Sequence, residues 1–189
     1  MESVQKLTHI EHVLKRPDSY VGPVDLSTEP YWILDGKKFE KKNLKYSPAL
    51  LKIFDEILVN AIDRNSLHPK NVTAISVSID KETGAVTIEN NGPLGGIGIK
   101  FNDKENVWNP ELVFGHLLTS TNYDDSQKRI VGGRNGYGAK LTNIYSVISL
   151  WSSRTTKRSK RIPKTGPKIC PFVNLQKSKN TRVLHHPWP

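Results

Sequence analysis

The stretch Phe54-Asp55-Glu56-Ile57-Leu58-Val59-Asn60-Ala61-Ile62-Asp63 constrains this chain more than any other. Phe54, Ile57, Leu58 and Ala61 recur at i, i+3, i+4 and i+7, which predicts a helix with one apolar stripe. Ser47 followed by Pro48 supplies its start, the serine as cap and the proline as first helical residue. Such a helix must lie on a sheet or on another helix. Glu56, Asn60 and Asp63 fall on a second line beside the stripe. Carboxylates and carboxamides at the edge of a core are costly unless something pairs with them. The line therefore points to a ligand, with Asn60 offering an oxygen to a hard cation such as Mg2+ and Glu56 placed to deprotonate a water. The plain alternative is an amphipathic helix whose polar side faces solvent.

Around this helix the pattern alternates short helices with hairpins. Lys6 to Leu14 has Leu7, Ile10, Val13 and Leu14 at helical spacing and stops at Arg16-Pro17-Asp18-Ser19. An extended segment from Tyr20 through Trp32 and Leu34 turns at Asp35-Gly36 and returns over Lys37 to Tyr46. A second hairpin joins Ala74–Asp80 to Ala85–Asn90 through Glu82-Thr83-Gly84. It runs into Asn91-Gly92-Pro93-Leu94-Gly95-Gly96-Ile97-Gly98, where the glycines let backbone approach something closely. Asn109-Pro110-Glu111 opens a helix over Leu112 to Leu118, and the run from Leu141 to Leu150 is apolar enough to predict another. A polar stretch from Tyr123 to Lys128 precedes Gly132-Gly133-Arg134-Asn135-Gly136-Tyr137-Gly138-Ala139-Lys140.

That glycine segment feeds a helix N-terminus, a natural place for an anion. Two common nucleotide fingerprints fail there. The phosphate loop of P-loop enzymes needs Gly-Lys-Ser/Thr five residues after its first glycine, and Gly138 is followed by Ala139. The dinucleotide fingerprint needs a strand directly before its glycines, and a polar loop stands there instead.

Composition narrows the class further. No run approaches the roughly 20 apolar residues of a membrane span, and Met1 to Lys6 lacks the apolar core of a signal peptide. The single cysteine, Cys170, excludes an internal disulfide framework and fits a reducing compartment. Net charge is +10, and it is unevenly placed. Residues 151–189 carry ten Lys and Arg and no Asp or Glu, so residues 1–150 are formally neutral. The division expected is a domain over 1–150 and a basic tail without regular structure over 151–189, with DNA phosphates as a possible partner of the tail.

Glu56-x-x-x-Asn60 on a helix, Asn91-Gly92 at a strand end and Gly132–Lys140 before a helix stand in the order of the three ATP-binding boxes of the GHKL superfamily. The strings EHVLKRPDSYVG, LLKIFDEILVNA, VFGHLLTSTNYDD and VGGRNGYGAKLTNIYS closely resemble the N-terminal ATPase domain of eukaryotic DNA topoisomerase II, over Lys6 to Ser146. The resemblance implies an α+β fold, a two-layer α/β sandwich with a mixed sheet and helices on one face. It also implies ATP and Mg2+ as ligands. Glu56 matches the general base, and Asn60 the Mg2+ ligand. Asp63 and Arg64 stand one turn on, Arg64 where many relatives have asparagine. Asn91 matches the residue that recognises the adenine amino group, and Ser120, Thr121 and Asn122 match ribose and phosphate contacts. Arg134, Asn135, Gly136, Tyr137, Gly138, Ala139 and Lys140 match the segment that closes over the triphosphate.

In that family ATP closes two such domains into a homodimeric gate for DNA passage, in the nucleus or another DNA-containing compartment. The chain departs from the pattern after Gly92, where Pro93 to Gly98 is longer than the family's box, and after Ser146, where the resemblance is expected to stop. The acid-free tail is read as foreign or out of frame, leaving the sheet incomplete. The family's transducer lysine and DNA-cleaving tyrosine are not expected in this chain, so strand passage by it alone is not expected either. The alternatives are a truncated module that holds ATP without turnover, and a basic nucleic-acid-binding module.

Overall fold

The computed structural model describes residues 4–92, 97–123, 126, 130–133 and 135–150, together with the backbone of a strand at 182–185. Arg134, most of the polar stretch to Lys128, Pro93 to Gly96 of the longer glycine box and the rest of the tail lie outside the described residues. Residues 1–55 and 56–189 form two compact units.

In the first unit, helix α1 (His9–Lys15) begins in a capping box. The Thr8 hydroxyl accepts from the Glu11 N–H at 3.3 Å, and Glu11 Oε2 accepts from the Thr8 N–H at 2.8 Å. A 3₁₀ turn at Pro17–Ser19 follows. Strands β1 (Ser27–Asp35) and β2 (Lys38–Tyr46) pair antiparallel from Ser27↔Tyr46 to Asp35↔Lys38. Gly36, at φ +63, makes the tight turn that the sequence places there. Helix α2 (Pro48–Leu67), whose residues from Glu56 onward belong to the second unit, starts at the predicted proline, and the Ser47 hydroxyl caps it by accepting from the Leu50 N–H at 3.3 Å. Its fully buried side chains are Ala49, Ile53 and Ala61, while Phe54, Ile57 and Leu58 are only partly buried. The apolar stripe is thus turned by one position from the predicted one, onto the 49, 53, 57, 61 row.

In the second unit, strands β3 (Ile75–Asp80) and β4 (Ala85–Asn90) form the expected hairpin, closed at Gly84 with φ +67. A short ribbon, β5 (Phe101–Asn102) and β6 (Val107–Trp108), leads into helix α3 (Asn109–Gly115), which opens on the expected Asn109-Pro110-Glu111 and ends three residues before the expected Leu118. Helix α4 (Gly138–Ile144) is followed by strand β7 (Ser146–Leu150), and β8 (Arg182–His185) completes a four-stranded sheet in the order β3-β4-β8-β7. Each ladder among the described residues is antiparallel, so the parallel pairs of a mixed sheet are not among them.

Two expectations are corrected here. The apolar run Leu141–Leu150 is not one helix: it breaks at Tyr145 into helix and strand. Ser-Val-Ile-Ser-Leu has adjacent β-branched residues that favour extended backbone, and a short apolar run does not distinguish the two states by period. The tail is not without regular structure throughout, because Arg182–His185 pair with both β4 and β7. A central strand needs partners far away in sequence, which local patterning does not reveal.

Gly92 closes β4 onto the loop before β3. It sits at φ +89, and an added Cβ would overlap the Asn71 carbonyl. Gly92→Ala is expected to destabilise the protein by about 2–4 kcal/mol, from strain and overpacking together. An equilibrium denaturant melt measures this; a loss below the error of the melt would contradict the packing described.

Candidate functional site

The polar line of α2 meets the glycine segment. Asp63, partly buried, accepts from two consecutive amides, Gly132 N–H to Oδ1 at 2.8 Å and Gly133 N–H to Oδ2 at 2.9 Å. The Gly133 carbonyl accepts from Asn122 Nδ2 at 2.7 Å. A Cβ on Gly133 would stand 3.3 Å from Asp63 Oδ2 and 3.7 Å from Asn60 Oδ1. One turn back, the Glu56 carboxylate lies against Gly138, the first residue of α4, where an added Cβ would overlap it. Gly136, at φ +69, presses on Thr119, with an added Cβ 2.8 Å from the Thr119 carbonyl oxygen. Gly136 is therefore required by its left-handed conformation and its close approach to the Thr119 backbone, while a side chain at Gly138 would have to displace the Glu56 carboxylate. Glu56, Asn60, Asp63, Asn122 and the glycine segment occupy one neighbourhood.

Lys140 belongs to it through burial. Its side chain is 5% exposed and its ammonium donates to the Thr119 carbonyl at 2.7 Å. Removal from water disfavours the charged form, and burial holds its pKa down to about 8 from an ordinary 10.5. The same helix is tied to α3 by Asn143, whose Nδ2 donates to the Phe114 carbonyl at 3.0 Å. Ser120, Thr121 and Asn122 form a tight turn beside Thr119: the Ser120 hydroxyl accepts from the Asn122 N–H at 3.0 Å, and Thr121 donates to Asn122 Oδ1 at 3.3 Å.

The remaining predicted residues fall less uniformly. Asn60 and Asn135 are exposed, Arg64 and Tyr137 are partly buried, and Ala139 is buried and can offer a ligand only its backbone. Arg134 lies outside the described residues. Asn91 is placed otherwise than its predicted role requires. Its Oδ1 accepts from the Thr73 and Ala74 N–H groups at 2.7 and 2.9 Å, and its Nδ2 donates to the Thr73 hydroxyl at 2.9 Å. The carboxamide ties β4 to the start of β3 instead of standing open to a base. Its neighbour Asn90, which the sequence reasoning passed over, is partly buried at the end of β4. Side chains alternate along a strand, and the adjacent pair Asn90-Asn91 at the end of β4 was the available signal.

No group of three or more His, Cys, Asp or Glu that could hold a metal occurs among the described residues. A cation bound here would have Asn60 as an oxygen donor and would take most of its shell from ligand and water. That donor set suits Mg2+, which keeps its waters and prefers substrate phosphates to a cage of protein ligands.

No protein-family model matches the chain. DNA topoisomerase 2 of Penicillium chrysogenum is 45% identical over 166 residues, 87% of this chain and 10% of the relative. The Pisum sativum protein of the same name is 42% identical over 193 residues, 98% of this chain and 13% of the relative. That likeness runs on past Ser146, where the sequence resemblance was expected to stop. Among solved structures, the ATPase region of Saccharomyces cerevisiae topoisomerase II matches with a TM-score of 0.72 at 48% identity, covering 76% of this chain and 38% of that one. The ATPase and transducer domains of DNA topoisomerase II from Balamuthia mandrillaris match with a TM-score of 0.72 at 51% identity, covering 76% of this chain and 36% of that one. The chain spans about a tenth of the length of the curated relatives it matches.

Lys140 makes the site sensitive to pH with a definite sign. Between its folded pKa of about 8 and the unfolded 10.5 the unfolded chain binds more protons, so this residue makes stability rise with pH across that window. Lys140→Met is expected to flatten the melting temperature against pH between 8 and 10.5 relative to the parent protein. Parallel curves for the two proteins would contradict the burial of a depressed ammonium.

Proposed function

The chain belongs with the ATPase regions of eukaryotic type II DNA topoisomerases, and from that premise we propose that it binds and hydrolyses ATP between the polar line of α2 and the glycine segment. The observation that carries this reading is the convergence of Glu56, Asn60, Gly133 and Gly138 on one place. Mg2+ arriving with the nucleotide would take the Asn60 oxygen and offset charge on the phosphates. The backbone N–H groups over Asn135 to Gly138 are suited to the oxygens of the triphosphate, since amides leading into a helix N-terminus favour an anion. A phosphate near Lys140 would favour the charged form and offset the effect of burial there.

Glu56 is the residue to hold the attacking water. The water oxygen bonds to the γ-phosphorus, its proton passes to the Glu56 carboxylate, and the bond from the γ-phosphorus to the bridging oxygen breaks to leave ADP. Its position against the first residue of α4 sets that carboxylate beside the helix start. Base recognition falls to Asn90 instead of Asn91, because the carboxamide of Asn91 already has its oxygen and nitrogen committed to Thr73 and Ala74. Ser120 and Thr121, on the turn beside Thr119, are assigned to the ribose and phosphate side. In a longer protein of this family, the nucleotide would favour the closed state of a homodimeric gate, with DNA as the partner whose topology changes and the nucleus as the compartment.

Mg-ATP at about 100 times its Kd is expected to stabilise the protein by about 2.7 kcal/mol, read as a rise in melting temperature. Glu56→Gln should keep that rise and lower phosphate release by about 100-fold or more. Release that persists in this variant would remove Glu56 from the role of base. Asn90→Ala should weaken ATP binding about tenfold, with Asn91→Ala lowering the melting temperature and leaving affinity near the parent value. The reverse pattern would return base recognition to Asn91.

A further inference from the structure

We propose that Asp63 is a positioning residue that fixes the hinge of the glycine segment at Gly132–Gly133, with Asn122 bracing Gly133 from its other side, and that Asp63 does not touch the nucleotide. For its catalytic consequence this inference rests on the ATP reading above; for its structural content it does not.

Consecutive backbone N–H groups that converge on one point are a common way for a protein to hold a phosphate. Here the converging amides of Gly132 and Gly133 are already occupied, each by one oxygen of the Asp63 carboxylate at 2.8 and 2.9 Å. An internal anion fills this cradle and closes it to an external one. Gly133 is also held from its other side, its carbonyl accepting from Asn122 Nδ2 at 2.7 Å. Asn122 in turn is fixed by the bond from its own N–H to the Ser120 hydroxyl. Gly132 rests on Val59, where an added Cβ would come within 3.0 Å of Cγ1. The hinge thus has one jaw on α2 and one on the turn beside Thr119.

The placement of Asp63 along α2 gives this a mechanical use. It stands three residues from Asn60 and seven from Glu56, or about 4.5 and 10.5 Å along the helix axis at 1.5 Å per residue. The glycine segment is therefore referenced to the same rigid rod that carries the proposed cation ligand and base. An asparagine at position 63 would turn an NH2 group toward one of the two amides, leaving a single acceptor where two are needed. Removing a charge-assisted bond to a backbone amide loosens that amide by a factor of about ten or more.

The test uses residue-resolved amide hydrogen exchange on the whole chain. In nucleotide-free protein, Asp63→Ala should speed exchange at Gly132 and Gly133 about tenfold or more, and Asp63→Asn should do so at one of the two. In the parent protein, a non-hydrolysable Mg-ATP analogue should leave these two amides within about twofold and slow those of Asn135 to Gly138. The parent measurement stands even where a variant does not fold. For turnover, Asp63→Ala should lower kcat about tenfold or more while the Kd of a fluorescent ATP analogue changes by less than about threefold. Unchanged exchange in both variants, a tenfold loss of affinity, or slowing of Gly132 and Gly133 by the analogue overturns the proposal. A protein that binds no nucleotide at all refutes the ATP reading, while the exchange at Gly132 and Gly133 still decides whether Asp63 is their anchor.

Discussion

A carboxylate shared between two successive glycine amides is the contact on which the rest of this site depends. Asp63 across Gly132 and Gly133 ties the glycine segment to α2 by two hydrogen bonds, beside the packing of Gly132 on Val59. With it, a helix and a loop nearly 70 residues apart in sequence become one surface. The bond is charge-assisted and uses both oxygens, so it fixes direction as well as distance.

The absence of side chains completes what that bond begins. A loop can lie on a helix only as closely as its own side chains permit, and at Gly138 even one methyl group would overlap the Glu56 carboxylate. Glycine at 136 serves a second need, a left-handed turn directly against Thr119. Lys140 illustrates the opposite principle: a long charged side chain is brought in from water and left on a neutral carbonyl, and its charge becomes easier to lose.

Much of this was legible in the amino acids. Ser47-Pro48, the turns at Gly36 and Gly84 and the spacing of Glu56, Asn60 and Asp63 each express a local rule, and local rules survive folding. Thr8-x-x-Glu11, whose capping box the sequence analysis passed over, is a local rule of the same kind at the start of α1. The failures share a different cause. Whether Leu141–Leu150 is helix or strand depends on β8, which lies over thirty residues further on. The direction of Asn91 depends on two amides at the start of β3, and the role of Asp63 on amides beyond residue 130. For Asn91 and Asp63 the type of residue announced a polar task, and only its partners in space determined which.

The central claim is that α2 and the glycine segment form one nucleotide site, and residue-resolved NMR titration with Mg-ATP tests it most directly. The Asn60 carboxamide and the backbone amides of Gly136 and Gly138 should shift together with a single Kd, and chelation of Mg2+ should reverse the Asn60 shift first. Glycine amides that titrate while Asn60 stays still, or two sets that follow different affinities, would contradict the account.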